Sequence, residues 1–222
     1  MDTTAAEPKL IELIRHHLFT AVIGDVMDGK GLRRQFLPPS IRALSPEMKL
    51  VGRAMPVREE DCDSAGEADF GLMFGALDDL KPDEVYVCTG ASPAYALWGE
   101  LMSTRARALG AAGAVVDGFH RDSRGILAVG LPVFSAGSYA QDQRGRGRVS
   151  EYRCELEFAN GAKVKPGDII VGDLDGVLVI PHLELEDVVR LSVAKLEGEE
   201  EARRLIEKGE STQLIFDRTG IM

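Results

Sequence analysis

Three short apolar runs, VYVC (Val85–Cys88), AVV (Ala114–Val116) and LPVFS (Leu131–Ser135), are separated by segments that read as helices, and this alternation narrows the fold more than any other feature of the chain. VYVC reads as a buried strand ending in the turn pair Thr89-Gly90. A helix then runs from about Trp98 to Leu109 and is stopped by Gly110, the residue type that best accepts a left-handed helix terminus. AVV is the next buried strand, and a helix starting near Asp122 leads into LPVFS. A β-α-β-α-β order of this kind calls for a largely parallel sheet with helices packed on it, so the fold class is α/β.

On the N-terminal side, Leu10, Ile11, Ile14 and Leu18 recur at helical spacing from Pro8 to Phe19, and Thr20 is placed to cap a second helix that the turn-rich DGKG (Asp28–Gly31) closes. LVGRAMPV (Leu50–Val57) reads as a strand, and Ser64-Ala-Gly-Glu67 as a capping box opening a helix through Leu80. After Val149 the texture changes to strands joined by tight turns. EYRCELEF, Asn160-Gly161, KVKPGD and DIIVGDLDGVLVIP read as an antiparallel β-meander. Leu183 to Gly209 is a long charged helix in which Glu199, Glu200 and Glu201 stand opposite Arg203 and Arg204. One domain over residues 1–222 is expected, with N-terminal helices at about 8–30, an α/β centre at about 50–180 and a C-terminal helix at about 183–209.

The formal charge of −10, from 36 acidic and 26 basic residues, argues against a broad footprint for phosphate backbones or anionic membranes. Neither nucleic acid nor membrane is an expected partner. The run RGRGR (Arg144–Arg148) is the local exception, and its glycines read as a solvated loop. Cys62, Cys88 and Cys154 lie far apart without C-x-x-C spacing, which suggests neither a zinc site nor a disulfide framework and fits a reducing cytosol. The N-terminus MDTTAAEPKL has no basic or apolar leader pattern, and no apolar run approaches the ~20 residues that span a bilayer, so a cytoplasmic location is expected.

The chemistry-bearing stretch is WGELMSTRARALGAAGAVVDGFHRDSRGI (Trp98–Ile126). A helix beginning at Gly99 leaves its first-turn N–H groups unpaired, so Gly99, Glu100, Leu101 and Met102 offer backbone donors that suit an anion. Gly99 also lets a ligand approach the backbone closely. The chain returns through AVVDG and brings Arg121-Asp122 to the C-terminal side of the next strand, facing the same crevice. Arg121 can bind a carboxylate through two parallel hydrogen bonds, Asp122 is a hard oxygen ligand for Mg²⁺ or Mn²⁺, and Glu100 can hold a metal-bound water. Together they would clamp a small 2-oxo acid and stabilise the enolate formed when a bond beta to its ketone breaks. From spacing alone, solvated charges or helix caps on a surface loop are the commoner explanation of such an Arg-Asp pair.

GELM followed by ARALGAAGAVVDG and HRD closely resembles the RraA-like family, which includes the 4-hydroxy-4-methyl-2-oxoglutarate aldolases. Those class II pyruvate aldolases carry an Asp, twenty intervening residues and then Arg-Asp; here Glu100 takes the first position at the same spacing. The resemblance, weaker but extending from about Thr20 to VGDLDGVLVIP, implies that Gly99 to Met102 bind substrate through backbone, that Arg121 binds its carboxylate, and that Asp122 ligates a divalent metal. Glu100, one methylene longer than Asp, suits contact with that metal through water. The resemblance further implies a layered α/β/α swivelling-type domain with a mixed sheet, assembled as a homotrimer or homohexamer with sites between subunits. There an acid of the neighbouring subunit supports the metal, and Glu199 and Glu200 are the candidates.

The implied activity is retro-aldol cleavage of a 4-hydroxy-2-oxo acid to pyruvate. Oxaloacetate decarboxylation is a natural side activity, because both reactions pass through the pyruvate enolate. The family's namesake implies an alternative, a non-catalytic regulator that binds ribonuclease E or a related RNA-degradation protein. The regulator-type sequence lacks the acid after the arginine, whereas this chain keeps Asp122.

Other polar residues read more plainly. His16 and His17 are adjacent on a helix and point about 100° apart, which places them on the surface rather than on one ion. His120 is a candidate acid or base beside Arg121. Asp25 and Asp28 share a helix face and could serve as a base across a subunit boundary, although capping and solvation also explain them. No G-x-S-x-G elbow, P-loop or dinucleotide fingerprint is present. Whatever lies beyond C4 of the substrate is expected to meet the Gly137–Arg148 loop or a neighbouring subunit.

Overall fold

The computed structural model describes residues 3–62 and 70–221, so the Ser64–Glu67 capping box lies outside the described residues. In chain order the elements are α1 (Thr3–His17), α2 (Thr20–Gly29), β1 (Arg42–Ala43), β2 (Leu50–Asp61), β3 (Phe70–Gly71), α3 (Met73–Asp78), β4 (Glu84–Thr89), β5 (Ala96–Trp98), α4 (Glu100–Ala108), β6 (Gly113–Val116), β7 (Phe119–His120) and α5 (Ser123–Val129). There follow β8 (Val133–Ser135), β9 (Gly147–Tyr152), β10 (Leu156–Glu157), β11 (Lys163–Val164), β12 (Ile169–Asp173), β13 (Gly176–Ile180), α6 (Leu185–Glu207) and α7 (Thr212–Thr219).

Strands β2, β4, β6 and β8 lie side by side and parallel, as the alternation of apolar runs and helices requires. The long strand β2 organises the rest. Its segment Arg53–Arg58 pairs with β4, Leu50–Arg53 pairs antiparallel with β12, and Val57–Asp61 pairs antiparallel with β9. Beyond β12 comes β13, whose outer edge is bonded by the chain around residues 35–37: Leu37 N–H donates to Val177 O at 2.9 Å and Val179 N–H to Gln35 O at 2.8 Å. The same segment continues into β1, which pairs with β8 at the opposite edge, so both edges are covered and the mixed sheet is nearly closed.

Successive side chains of a strand face opposite ways, and the core divides accordingly. Ala54, Val85, Val87 and Val115 pack with Phe134, Val177 and Val179, and the β10–β11 hairpin adds Leu156 and Val164 to this interior. The alternate residues Met55, Tyr86, Cys88 and Val116 pack under α3, α4 and α5 with Trp98, Ala106 and Ile126. On another outer face Ile169, Val171, Leu178 and Ile180 meet α1, α2 and α6. Helices therefore flank a strand layer on two sides.

Several local expectations shift. Thr20 is the first residue of α2 rather than its cap; its N–H and hydroxyl both donate to the Asp173 carboxylate at 2.7 Å, so β12 supplies the capping group. The C-terminal strands are antiparallel but distributed. EYRCELEF divides at Arg153, whose backbone is left-handed (φ 56°) and whose guanidinium turns in to Glu84 and Asp79. This sends β9 to β2 and leaves β10 to pair with β11. In RGRGR, Arg146 bonds nearby backbone carbonyls as a loop residue would, but Gly147 and Arg148 already belong to β9, where Arg148 pairs with Glu60. The helix α7 (Thr212–Thr219) was not anticipated from the sequence; Ile215 is the residue buried on it. All three cysteines are free, and among the described residues no helix is long and apolar enough to cross a membrane.

Candidate functional site

Strands β5 and β7 pair in parallel beside the main sheet, with Ala96 opposite Phe119 and Trp98 opposite His120. Each then hands the chain to a helix at the same end: β5 through Gly99 into α4, and β7 through Arg121-Asp122 into α5. Arg121 N–H donates to Trp98 O at 2.8 Å, which holds the two crossings together. Gly99 has an extended backbone that any residue adopts, and the constraint on it is space: a Cβ there would lie 2.9 Å from Asp122 Oδ2.

Asp122 is left-handed (φ 59°, ψ 34°), a region in which Asp and Asn are the most readily accommodated side chains after glycine. It makes no side-chain cap to its own helix. Instead its carboxylate lies at the N-terminus of α4, where Glu100 N–H donates to Oδ2 at 3.4 Å, a long bond that adds to the favourable position of an anion at a helix N-terminus. The expectation of free first-turn amides is thereby corrected, because Asp122 already occupies that of Glu100.

Arg121 is half-buried between two carboxylates, with Nη1 at 3.4 Å from Asp142 Oδ1 and Nε at 3.7 Å from Asp122 Oδ2. Ion pairs this long and this accessible are weak, so the guanidinium can exchange one for the carboxylate of a ligand. Asp142 comes from the Gly137–Arg148 stretch, tied to β5 by Ala96 N–H donating to Gln141 O at 2.8 Å. Arg121, Asp122, Asp142 and Gln143 line one end of a cavity of about 430 Å³, together with Gly99 and Trp98. Leu101 and Met102 also line it.

The remaining candidates lie elsewhere. Glu100 contributes its amide, but its carboxylate rests over α5, so that a Cβ on Gly125 would meet Oε2 at 2.3 Å. Glu199 and Glu200 lie on α6, which packs on α1, α2 and α7, and they pair within their own helix with Lys195 at 3.0 Å and Arg204 at 3.8 Å. Among the described residues no three of His, Cys, Asp and Glu gather as a metal cage. His120 is buried, with Nδ1 at 2.7 Å from Ser135 Oγ and Nε2 at 2.8 Å from Ser123 Oγ. Burial holds its pKa below the ordinary value, so it acts as a neutral pin between β7, β8 and α5 rather than as an acid or base in the cavity. His16 and His17 are exposed on α1, and Asp25 pairs with Lys195 across α2 and α6.

Two further groups escaped the sequence reading. Asp142 sits in a loop without a motif. Glu59 is 1% exposed, accepts from Gln143 Nε2 at 2.7 Å, and has no hydrogen-bond partner for Oε1; burial pushes its pKa up to about 8. The only local signal for Glu59 is an acid at an inward position of β2, which the surrounding REED run disguises as a polar strand end.

Residues 20–179 match the family model described as RraA-like, Aldolase/RraA. The chain is 31% identical over 195 residues to Protein DlpA of Legionella pneumophila, a match covering 87% of this chain and 31% of that one, so it spans about a third of DlpA's length. It is also 31% identical over 188 residues to a Halalkalibacterium halodurans protein provisionally named 4-hydroxy-4-methyl-2-oxoglutarate aldolase, covering 83% of this chain and 82% of the relative. Among solved structures it resembles Streptomyces coelicolor RraAS2, described as an unusual member of the RNase ES inhibitor RraA protein family. That likeness has a TM-score of 0.77 at 23% identity over 88% of this chain and 96% of the other, and it concerns the fold alone. With the nearly closed mixed sheet, its flanking helices and a family match over most of the sequence, the chain belongs to the RraA-like family.

Proposed function

We propose that the protein is a divalent-metal-dependent lyase that cleaves 4-hydroxy-2-oxo acids, the class of 4-hydroxy-4-methyl-2-oxoglutarate, to pyruvate by a retro-aldol reaction, with oxaloacetate decarboxylation as a side activity. The observation that carries this reading is the Asp122 carboxylate, set by a left-handed turn at the N-terminus of α4 and beside Arg121 in one cavity. The aldolase name of the Halalkalibacterium halodurans relative supports it.

The donor set fits Mg²⁺ or Mn²⁺. Asp122 offers an accessible hard oxygen, and Mg²⁺ is commonly held by one or two carboxylates with water and substrate oxygens completing its shell. Asp122 would hold the ion directly and Glu100 through water, with Glu199 or Glu200 of the partner subunit as the further acid in a homotrimer or homohexamer. When bound, the ion supplies Lewis-acid polarisation of the 2-oxo oxygen. The chain's own groups do the rest: Arg121 exchanges Asp142 for the substrate carboxylate, and the free amides of the first turn of α4 add their dipoles. A water held by Asp122 or Glu100 would relay the C4 hydroxyl proton to the carboxylate that holds it as the C3–C4 bond breaks, and Arg121 would steady the enolate through its carboxylate until C3 is protonated.

The non-catalytic alternative, a regulator of ribonuclease E or a related protein, draws its support from the fold shared with RraAS2. The position of Asp122 favours the lyase. Pyruvate release from 4-hydroxy-4-methyl-2-oxoglutarate and from oxaloacetate is expected with Mg²⁺ or Mn²⁺ and is expected to vanish with chelator; no turnover above that of free metal would overturn the reading. Gly99→Ala should lower that turnover by up to about 10²-fold, because the added Cβ displaces the Asp122 carboxylate, while far-UV circular dichroism stays unchanged. Wild-type rates in this variant would mean that the carboxylate position does not matter.

A further inference from the structure

The cavity that holds Arg121 and Asp122 has a second half that the bond cleavage itself does not use. It runs between α3 and α4, where Met73, Phe74 and Leu77 are set across from Leu101 and Met102. Phe74 is 59% exposed and Leu101 82% exposed, so these two side chains present apolar surface outward, above Met73 and Leu77 of the buried core. Phe74 stands edge-on to Phe70, with ring centroids 5.7 Å apart.

Charge is distributed unevenly along the cavity. Among the described residues its cations are Arg121 at the acid-binding end and Arg105 in the second half, and Arg105 Nε already donates to Asp78 at 2.7 Å. A substrate carboxylate carried between α3 and α4 would give up water against Met73, Phe74 and Leu77. The guanidinium it met would be one already balanced by an acid, in an exposed pair that returns little. An alkyl or aryl group gains from the same surroundings.

We propose that, within this substrate class, the site prefers 4-hydroxy-2-oxo acids whose chain beyond C4 is apolar, an alkyl or aryl group lying between α3 and α4, over those that carry a carboxylate there. The second product is then an apolar aldehyde or ketone. This rests on the lyase reading for the reaction and on the cavity for the substituent. The step balances without oxidant or reductant: the C4 hydroxyl proton passes to the base, its O–H electron pair forms the new carbonyl, the C3–C4 pair moves to C3, and C3 takes up a proton to give pyruvate.

The test compares 4-hydroxy-2-oxohexanoate with 4-hydroxy-2-oxoadipate, which differ in a methyl against a carboxylate at C6. With Mg²⁺ present, kcat/KM for pyruvate release is expected to favour the hexanoate by at least about tenfold. Phe74→Lys, at an exposed position, should erase or reverse that preference, and Arg105→Ala should leave it standing. A preference for the adipate that Arg105→Ala removes would overturn the proposal. Calorimetric binding of 2-oxohexanoate and 2-oxoadipate, which lack the C4 hydroxyl and cannot be cleaved this way, separates the two layers of the argument. If neither hydroxy acid yields pyruvate, the lyase reading fails, yet tighter binding of 2-oxohexanoate that Phe74→Lys weakens still upholds the apolar subsite. Equal or tighter binding of 2-oxoadipate, or no binding of either, overturns the subsite as well.

Discussion

Asp122→Asn is expected to lower metal-dependent pyruvate release by at least about 10²-fold, the scale on which one preorganised electrostatic group contributes to a rate, and to leave the unfolding midpoint close to that of the wild type. Asn accommodates the left-handed backbone of this position as well as Asp does, and its side-chain oxygen can still accept from the Glu100 amide. What it loses is the negative charge. Asp122→Ala removes the acceptor too and places an ordinary side chain at φ 59°, so a similar loss of activity should come with destabilisation on the order of 1 kcal/mol. Steady-state rates across a Mg²⁺ titration, with thermal unfolding of both variants, separate the two effects. Asn retaining more than about a tenth of wild-type turnover would remove Asp122 from the metal-binding role.

Glu59→Gln should stabilise the protein at neutral and mildly alkaline pH. The folded carboxyl is pushed up to about 8 by burial, whereas in the unfolded chain it titrates near 4.5. Between those values the unfolded chain has released the proton and the folded chain has kept it, so stability falls as pH rises, by at most about 1.4 kcal/mol per pH unit. The accumulated penalty is absent below pH 4.5, reaches an upper bound of roughly 3 kcal/mol at pH 7, and stops growing above about 8. Gln matches the shape of the protonated acid, keeps an oxygen for Gln143 Nε2, and does not titrate. Denaturant unfolding at several pH values from 4.5 to 8 is expected to show the variant gaining on the wild type toward high pH and equalling it at the acid end. Parallel curves would show that Glu59 ionises in the folded protein as readily as in the unfolded one. Since Gln143 lines the cavity, the same titration places a charge directly behind the site.

The site was legible in part. Its two corners, Gly99 at the head of α4 and Arg121-Asp122 at the head of α5, follow from helix starts and strand ends that neighbouring residues specify. The direction of the Glu100 side chain was not legible: spacing places its Cα beside the site, but the carboxylate follows the space over Gly125, and that space exists only once α5 is packed against α4. Asp142 was invisible because the bond from Ala96 N–H to Gln141 O that brings it to Arg121 joins positions far apart in the chain.

By itself, the sequence determined what short-range physics controls. The parallel strands, the helices between them, and the left-handed stop at Gly110 are all set by apolar periodicity and backbone sterics within a few residues. Only the tertiary structure decided how residues 35–43 close the sheet, where EYRCELEF divides, which carboxylate sits on the N-terminus of α4, and that Glu59 lies out of reach of water. Those outcomes depend on which distant segment supplies the next hydrogen bond or covers the next side chain, and the free energy of that choice belongs to the packed chain as a whole.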